Sequence, residues 1–349
     1  MGIEFLGNKK QLESFLMDNL SPYILRGKLF MDLFSGSGSV SMMMKKQGLN
    51  VIANDFLFFS SMMTKAVLEN GDSPQFNGLK KVLSLRDADP YGQVIHYLNS
   101  LCGEEGFIFA HYSPASLAMD GIARMYFTEE NAKKIDAVRN QIELWTENLL
   151  PEEKALLISD LLDAVSGVSN IAGTYGCYMK FWKKKALCPM NLSKRELIEP
   201  CTEQRFLTLN AYSNDIVSEY KADVIYMDPP YTKRQYSAYY HILETIALND
   251  SPNIFGKTGL RDWKKKSSDY CYKRKASKAL ADLLDKANCQ YFVMSYNNEG
   301  QIEHEEILRL MKKHGKVSYY ETPYRRYKSN NRNAKADEVM ERLYILEMR

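Results

Sequence analysis

The sequence is poor in cysteine, and the six cysteines form neither a zinc-binding pattern nor a dense disulfide framework. They stand at positions 102, 177, 188, 201, 271 and 289, without a CxxC pair or a histidine at zinc spacing. No apolar run approaches the ~18 residues of a membrane span, and the N-terminal residues lack the apolar segment of a secretory signal. We therefore expect a cytoplasmic protein with reduced cysteines, no metal and no membrane contact.

Internal repeats and low-complexity tracts are also absent. Apolar residues make up 45% of the 349 residues and charged residues 26%, which is typical of a globular protein and excludes disordered and fibrous classes. At ~100 to 200 residues per domain, the length allows two units, or one large unit with an insertion.

The net charge is only +3, but it is unevenly distributed. Residues 180–275 contain 18 Lys and Arg against 11 Asp and Glu, a local charge of +7. A basic middle in a near-neutral protein indicates a polyanionic partner. A solvated lysine-rich surface would explain the charge equally well.

The pattern of apolar runs predicts an α/β fold. The order of elements is that of half of a parallel sheet. It begins with a strand at 28–34, a glycine turn and a helix, and continues with a strand at 50–54 that ends in an acid. The alternation stops between 72 and 205, where helical patterns dominate, and resumes with strands at 205–210, 223–228, 291–295, 316–321 and 342–348. We expect a sheet domain of 1–71 and 206–349 with an inserted, mostly helical domain of 72–205. Two basic stretches, 257–275 and 324–335, are predicted to be mobile loops.

The first motif is the glycine turn from Asp32 to Ser39, DLFSGSGS, at the carboxyl end of the first strand. Open α/β sheets bind ligands at this end, and glycine allows the backbone to approach them closely. Asp55 follows Gly36 by 19 residues and could accept both ribose hydroxyls of a nucleoside. A NAD site would also fit, although Val40 and Ser41 stand where its third glycine would fall.

The second motif is DPPY, which ends the apolar strand 223–228. Two successive prolines fix the backbone so that the Asp228 carboxylate and the Pro229 carbonyl are held rigidly. Both groups are acceptors and suit an NH2 group, and Tyr231 offers a ring on which a planar base can stack. An ordinary Pro-Pro turn after a strand is the alternative.

In this order, DLFSGSGSV and DPPY resemble the DNA adenine-N6 methyltransferases of the Dam-like (D12) class, in particular those of restriction-modification systems. FLGNK at 5–9 resembles the first cofactor motif of that family, with Asn8 where Gly or Ser is more usual. RQY at 234–236 and YYH at 239–241 resemble the segment after DPPY, and 170–187 resembles the end of the target-recognition region. The resemblance covers nearly the whole chain and is weakest over 72–116.

The resemblance implies a Rossmann-like, AdoMet-dependent methyltransferase sheet with an inserted target-recognition domain, and S-adenosyl-L-methionine as cofactor. It implies that Asp228, Pro229, Pro230 and Tyr231 carry the catalysis. The cofactor-binding positions would be Phe5, Lys9, Asp32, Phe34, Ser35, Gly36, Gly38, Asp55 and Asp228. Asp215 could contact the cofactor adenine or simply cap a turn.

Double-stranded DNA is the partner that the resemblance implies, and we expect the enzyme to be a monomer. A cognate restriction endonuclease acting separately and a solitary methyltransferase both stay open. The expected DNA-binding residues combine positive charge with aromatic rings: Tyr175, Tyr178, Lys180, Lys183, Lys184, Lys185, Arg234 and Tyr236. A solvated lysine run is the alternative interpretation.

The predicted reaction is methyl transfer from the cofactor sulfonium to the exocyclic amine of an adenine flipped out of duplex DNA. No cysteine nucleophile is required, which disfavours C5-cytosine methylation. Methylation of cytosine N4 or of RNA adenine shares the same chemistry and stays open. A catalytically inactive nucleic-acid-binding scaffold is the alternative from another class, and the intact motifs argue against it.

Overall fold

The computed structural model describes residues 12–25, 27–201, 203–325 and 338–349. These residues form two compact units. The sheet unit contains the described residues of 12–56, 201–235 and 267–349, and the helical unit contains 57–200 and 236–266. No helix within the described ranges is both long and apolar enough to cross a membrane.

The sheet unit is built on seven strands in the order β3-β2-β1-β4-β7-β9-β8, and β9 runs in the opposite direction to the other six. All seven were expected from apolar runs. This Rossmann-like α/β fold confirms the predicted class. The strands are β1 (Leu29–Asp32), β2 (Asn50–Asn54), β3 (Phe206–Leu209), β4 (Ala222–Met227), β7 (Cys289–Asn297), β8 (Gly315–Arg325) and β9 (Glu338–Met348).

Apolar side chains from the strands and flanking helices form one core of the sheet unit, with Met31, Ile225 and Phe292 completely buried. β1 and β4 are neighbours although they are far apart in sequence, with Phe30 opposite Val224. From β1 the chain continues to β2 and β3 on one side, and it then returns to place β4 on the other side of β1. The carboxyl ends of β1 and β4 are therefore the topological switch point of the sheet. The helices of this unit are α1 (Glu13–Leu20), α2 (Ser39–Lys46), α10 (Ser213–Ile216), α13 (Lys273–Lys286) and α14 (His304–Met311).

The helical unit has its own core, which includes the buried side chains of Tyr112, Trp145 and Leu161. A two-stranded hairpin belongs to this unit and is formed by β5 (Ile254–Phe255) and β6 (Leu260–Arg261). The helices are α3 (Phe58–Leu68), α4 (Lys80–Leu83), α5 (Pro90–Ser100), α6 (Phe107–Tyr112), α7 (Ser116–Asp120), α8 (Glu129–Leu144), α9 (Pro151–Val168), α11 (Tyr236–Tyr239) and α12 (His241–Leu248).

The helical unit extends beyond the predicted insertion of 72–205, because α3 and α12 are bound to one another within it. The buried Glu244 carboxylate of α12 accepts the backbone N–H groups of Phe58 (3.0 Å) and Phe59 (2.9 Å) at the start of α3. Glu244 thereby satisfies two N–H groups that have no partner within their own helix. The assignment of this region to target recognition stays a prediction.

The expectation of a mobile loop at 257–275 is wrong. This stretch contains β6, two 3-10 turns and the start of α13. The second predicted loop, 324–335, begins with the last two residues of β8, and its remaining residues lie outside the described ranges.

Candidate active site

The glycine turn joins β1 to α2 and is hydrogen-bonded to the end of β2. Gly36 and Gly38 adopt φ angles of +54° and +77°, a left-handed conformation that favours glycine. Ser35 N–H donates to Asn54 O (2.9 Å), and Gly36 N–H donates to Asp55 Oδ2 (2.9 Å). Asp55 thus lies directly beside the turn, as its spacing in the sequence predicted.

Asn54 is a site residue that the sequence analysis missed. Its side chain is completely buried, and its Nδ2 donates to Leu33 O and Ala211 O at 3.1 Å each. Its Oδ1 accepts the N–H of Ala211 at 3.0 Å. Asn54 therefore holds together the segments that follow β1 and β3, and no local pattern marks an asparagine for this role.

Asp32 is the buried acid at the end of β1. Its Oδ2 accepts a hydrogen bond from Ser41 Oγ at 2.7 Å. Burial raises the pKa of Asp32 to about 7, and the nearby negative charges of Asp228 and Asp55 add to this shift. The glycine turn, Asp55 and DPPY lie at one end of the sheet, because Asp32 pairs with Tyr226 of β4 and Gly36 binds Asp55.

DPPY follows β4, whose Tyr226 carbonyl accepts the N–H of Leu33 at 3.0 Å. Asp228 is half-buried, and Pro229 directly after it is buried. The half-buried ring of Tyr231 meets Tyr296 edge to face, with ring centroids 6.1 Å apart. DPPY is therefore fixed at one end by the sheet and at Tyr231 by an aromatic contact.

The segment after DPPY is held by a second residue that the sequence analysis did not assign, Gln235. Its buried side-chain amide donates from Nε2 to Ser268 O (3.0 Å) and accepts the Ser268 N–H at Oε1 (2.8 Å). The Cys271 thiol donates to Arg234 O at 3.3 Å. Beyond these contacts, the ring of Tyr270 meets Phe34 of the glycine turn at 5.4 Å and 88°. The two motifs are thus connected by one set of side-chain contacts.

Two predicted cofactor residues, Phe5 and Lys9, lie outside the described residues. Asp215 lies exposed in the first turn of α10, after β3. Beside it, the rings of Phe56 and Tyr212 meet edge to face at 5.3 Å. Phe56 directly follows Asp55, so this aromatic pair was a recoverable signal that the sequence analysis did not use.

The expectation that Tyr175 binds DNA is wrong. Its side chain is 2% exposed, and its hydroxyl lies 3.3 Å from Ser166 Oγ in the core of the helical unit. The Tyr175 carbonyl oxygen lies 3.1 Å from Nε2 of the buried His241, the pKa of which is lowered by burial to about 3. A ring enclosed in this way cannot stack on a base.

The other predicted DNA-binding side chains differ in their surroundings. Lys183 donates from Nζ to Ile171 O (2.7 Å), and Lys185 donates from Nζ to Ser166 O (3.0 Å). Lys180 and Lys184 are exposed, as is Arg234 in the sheet unit. Tyr178 and Tyr236 are half-buried, and each meets another tyrosine ring of the helical unit edge to face.

The sheet-unit residues fit S-adenosyl-L-methionine by their chemistry. A carboxylate at Asp32 suits an ammonium group, Asp55 suits ribose hydroxyls, and the glycine turn leaves room at the backbone. Within the part of the chain that the structure describes, no group of three His, Cys, Asp or Glu side chains is arranged to hold a metal ion.

Comparison with known proteins identifies the family. Residues 5–310 match the D12 class N6 adenine-specific DNA methyltransferase family. Type II methyltransferase M.FokI of Planomicrobium okeanokoites is 38% identical, with 99% of this chain and 52% of the relative covered. Modification methylase StsI of Streptococcus sanguinis is 36% identical, with 92% of this chain and 48% of the relative covered. The chain therefore spans about half the length of these two relatives.

A third relative matches over its whole length. Type II methyltransferase M.NlaIII of Neisseria lactamica is 35% identical, with 99% of both chains covered. The family match extends across most of the chain and includes both the glycine turn and DPPY. This chain belongs to the D12 class of N6 adenine-specific DNA methyltransferases.

Proposed function

We propose that this protein transfers a methyl group from S-adenosyl-L-methionine to the exocyclic N6 amine of adenine at a specific DNA site. The observation that carries the proposal is the proximity of the two motifs at the switch point of the sheet. Asp32 at the end of β1 pairs with Tyr226 of β4, two residues before Asp228 of DPPY, and the Leu33 N–H donates to Tyr226 O at 3.0 Å. A donor held at the first motif would therefore meet an acceptor held at the second.

We assign the cofactor to the glycine turn and the adjacent acids. Asp32 would bind the ammonium group of the methionine part, and Asp55 would accept hydrogen bonds from the ribose hydroxyls. The contacting rings of Phe56 and Tyr212 would together offer an apolar surface to the cofactor adenine, near Asp215. When bound, S-adenosyl-L-methionine supplies an electrophilic methyl group on a sulfonium.

DPPY would activate the amine by positioning it. The lone pair of the adenine amine is delocalised into the ring, which makes this nitrogen a poor nucleophile. Hydrogen bonds to the Asp228 carboxylate and the Pro229 carbonyl would draw the nitrogen toward tetrahedral geometry, while Pro230 restricts the backbone and Tyr231 stacks on the base. Methylation leaves the nitrogen with an extra proton, which the Asp228 carboxylate would accept.

The substrate base must leave the duplex, because the target amine is paired within it. We assign DNA contact to Lys180 and Lys184 of the helical unit, on phosphates, and to Arg234 and Tyr236, which follow DPPY in the sequence. We further propose that the protein acts as a monomer in the cytoplasm. The names of the relatives support a modification role, in which a separate restriction endonuclease would recognise the same sequence.

The test is transfer of tritium-labelled methyl groups to duplex DNA and to RNA, followed by nucleoside analysis. We expect label in DNA only, and as N6-methyladenine only. Detection of N4-methylcytosine would indicate a cytosine-N4 methyltransferase, and label in RNA would indicate an RNA methyltransferase. Absence of label from both, with duplex binding retained, would favour an inactive scaffold. Sequencing genomic DNA from expressing cells would then identify the recognition site.

A further inference from the structure

The hairpin of the helical unit has a turn with an unusual set of hydrogen bonds. Four consecutive backbone carbonyls of this turn each lie within hydrogen-bonding distance of a donor on a buried side chain outside the hairpin. Arg124 donates to Gly256 O and Lys257 O at 3.2 Å each. The Tyr126 hydroxyl lies 3.1 Å from Thr258 O, and the Tyr112 hydroxyl donates to Gly259 O at 2.8 Å.

These contacts fix a turn that its composition would leave flexible. Gly256 and Gly259 have φ angles of +70° and +68°, and glycine-rich turns lose much conformational entropy on ordering. The Arg124 side chain is only 2% exposed, and its charge is balanced by Asp120 at 2.6 Å. A buried charge must be paired and hydrogen-bonded, and the carbonyls of this turn supply two of the hydrogen bonds that Arg124 makes.

The outer side of the hairpin is basic and aromatic. Phe255 is 61% exposed, and Lys257 at the turn is also exposed. Residues 255–266 contain five Lys and Arg against one Asp, a local charge of +4. Arg261 is paired with Asp250 at 2.7 Å, so the turn lysine and the exposed lysines at 264 and 265 dominate the outward charge.

We propose that this hairpin is a DNA-contacting surface, with Lys257 on a phosphate and Phe255 against the sugars or bases. The inference rests on the proposed function and adds a surface that the sequence analysis took for a mobile loop. Phosphates attract lysine whatever the sequence, and an aromatic ring adds apolar contact with sugars and bases. A preordered turn loses little entropy on binding.

A shared contact connects the hairpin to the segment already expected to bind DNA. The Tyr126 hydroxyl lies 3.0 Å from Tyr175 O as well as 3.1 Å from Thr258 O. The Tyr126 ring also meets the Tyr178 ring at 5.0 Å. The hairpin turn and the segment of Lys180 and Lys184 are therefore held by the same tyrosine, and a duplex contacting one could reach the other.

The test measures binding of the full chain to a short duplex of arbitrary sequence over a range of salt concentrations. Lys257→Ala should make the salt slope of log K shallower by ~0.9, which is about eightfold weaker binding at ~0.1 M salt. Phe255→Ala should weaken binding with little change in slope, because it removes no charge. Both side chains are exposed, so both variants should fold.

Two matched controls lie in the same unit. Lys81→Ala removes an exposed lysine of α4, and Leu144→Ala removes a side chain that is 76% exposed at the end of α8. Neither should alter the affinity or the slope. If the hairpin variants match their controls while the wild-type protein methylates duplex DNA, the hairpin is not a DNA surface and the proposed function stands. If the wild-type protein neither binds nor methylates DNA, both proposals are wrong.

Discussion

Asp228 stands one residue beyond β4, where an alanine would remove a half-buried carboxylate without leaving a cavity in the core. We predict that Asp228→Ala lowers the methyl-transfer rate far more than tenfold, a loss above ~1.4 kcal/mol in the barrier, because the main acceptor for the amine is lost. The melting temperature should stay close to that of wild type. A variant that kept a tenth of the rate or more would show that another group activates the amine.

Asp55 has a more limited expected role, because we assign it to the cofactor and not to the substrate base. We predict that Asp55→Ala weakens S-adenosyl-L-methionine binding by roughly ten- to a hundredfold, from a charge-assisted hydrogen bond of about 1.5 to 3 kcal/mol. Turnover at saturating cofactor should change little. Calorimetry of cofactor binding is the measurement.

The control for Asp55 is Asp223→Ala. Asp223 also accepts a backbone N–H, from Leu29 at 2.8 Å, but lies at the opposite end of the strands. This variant should bind the cofactor like wild type. Equal affinities for the two variants would remove Asp55 from the site.

Asp32 gives the cofactor site a pH dependence. Burial and then the charges of Asp228 and Asp55 hold its pKa near 7, so below pH 7 most of the carboxyl is protonated. The ammonium group of a bound cofactor favours the carboxylate and lowers this pKa, so binding should release a proton and tighten as the pH rises toward 7. Calorimetry in buffers of different ionisation enthalpy counts that proton. Asp32→Asn should bind more weakly and release none.

The contact between Gln235 and Ser268 allows a test of whether the position of the loop after DPPY affects catalysis. In Gln235→Glu, the carboxylate can still accept the Ser268 N–H, but it cannot donate to Ser268 O and repels that carbonyl. We predict about a tenfold lower kcat near neutral pH. Relative to wild type, kcat should recover as the pH falls, because a protonated Glu can donate again.

Gln204→Glu is the matched control for this element. Gln204 also donates to backbone carbonyls, those of Lys45 and Leu49 at 2.9 and 2.7 Å, but it precedes β3 at the end of the sheet away from DPPY. This variant should lose thermal stability and keep its kcat. Two results would show that the position of the loop does not limit the reaction. One is a fall in kcat for Gln204→Glu as large as that for Gln235→Glu, and the other is no recovery of kcat for Gln235→Glu at low pH.

The strands and both motifs of the site could be predicted because their signals are local. Each strand is a run of apolar residues, and the glycine turn and DPPY are contiguous in sequence. The side chains that hold these elements could not be predicted, because their partners are remote: Asn54 binds Ala211, and Arg124 binds the turn at Gly256 and Lys257. Tyr175 was assigned wrongly because a Gly- and Tyr-rich segment does not show which rings face inward.

At the scale of the whole molecule, the positive charge of residues 180–275 is not all available to a polyanion. Lys180 and Lys184 are exposed, whereas Lys183 and Lys185 bind carbonyls of their own unit. We predict that changing Lys180 and Lys184 together to Ala weakens binding to all duplex sequences alike and flattens the salt slope by up to ~1.8, with cofactor affinity unaltered.

Changing Lys183 and Lys185 together to Ala is the comparison for this surface. It removes the same charge but should chiefly lower the melting temperature, because the carbonyls of Ile171 and Ser166 lose their lysine donors. Binding isotherms at several salt concentrations and thermal melts separate the two effects. An unchanged salt slope for the Lys180 and Lys184 variant would mean that these two lysines do not contact DNA phosphates.

The strand order has a consequence for synthesis of the chain. β1 lies between β2 and β4 in the finished sheet, yet Phe30 pairs with Val224, so β4 leaves the ribosome on the order of ten seconds or more after β1. During that interval one edge of β1 has no strand beside it, and an apolar edge invites pairing with other chains. The nascent protein is therefore most dependent on chaperones before Ala222 emerges, and slower translation between β2 and β4 would lengthen its exposure to aggregation.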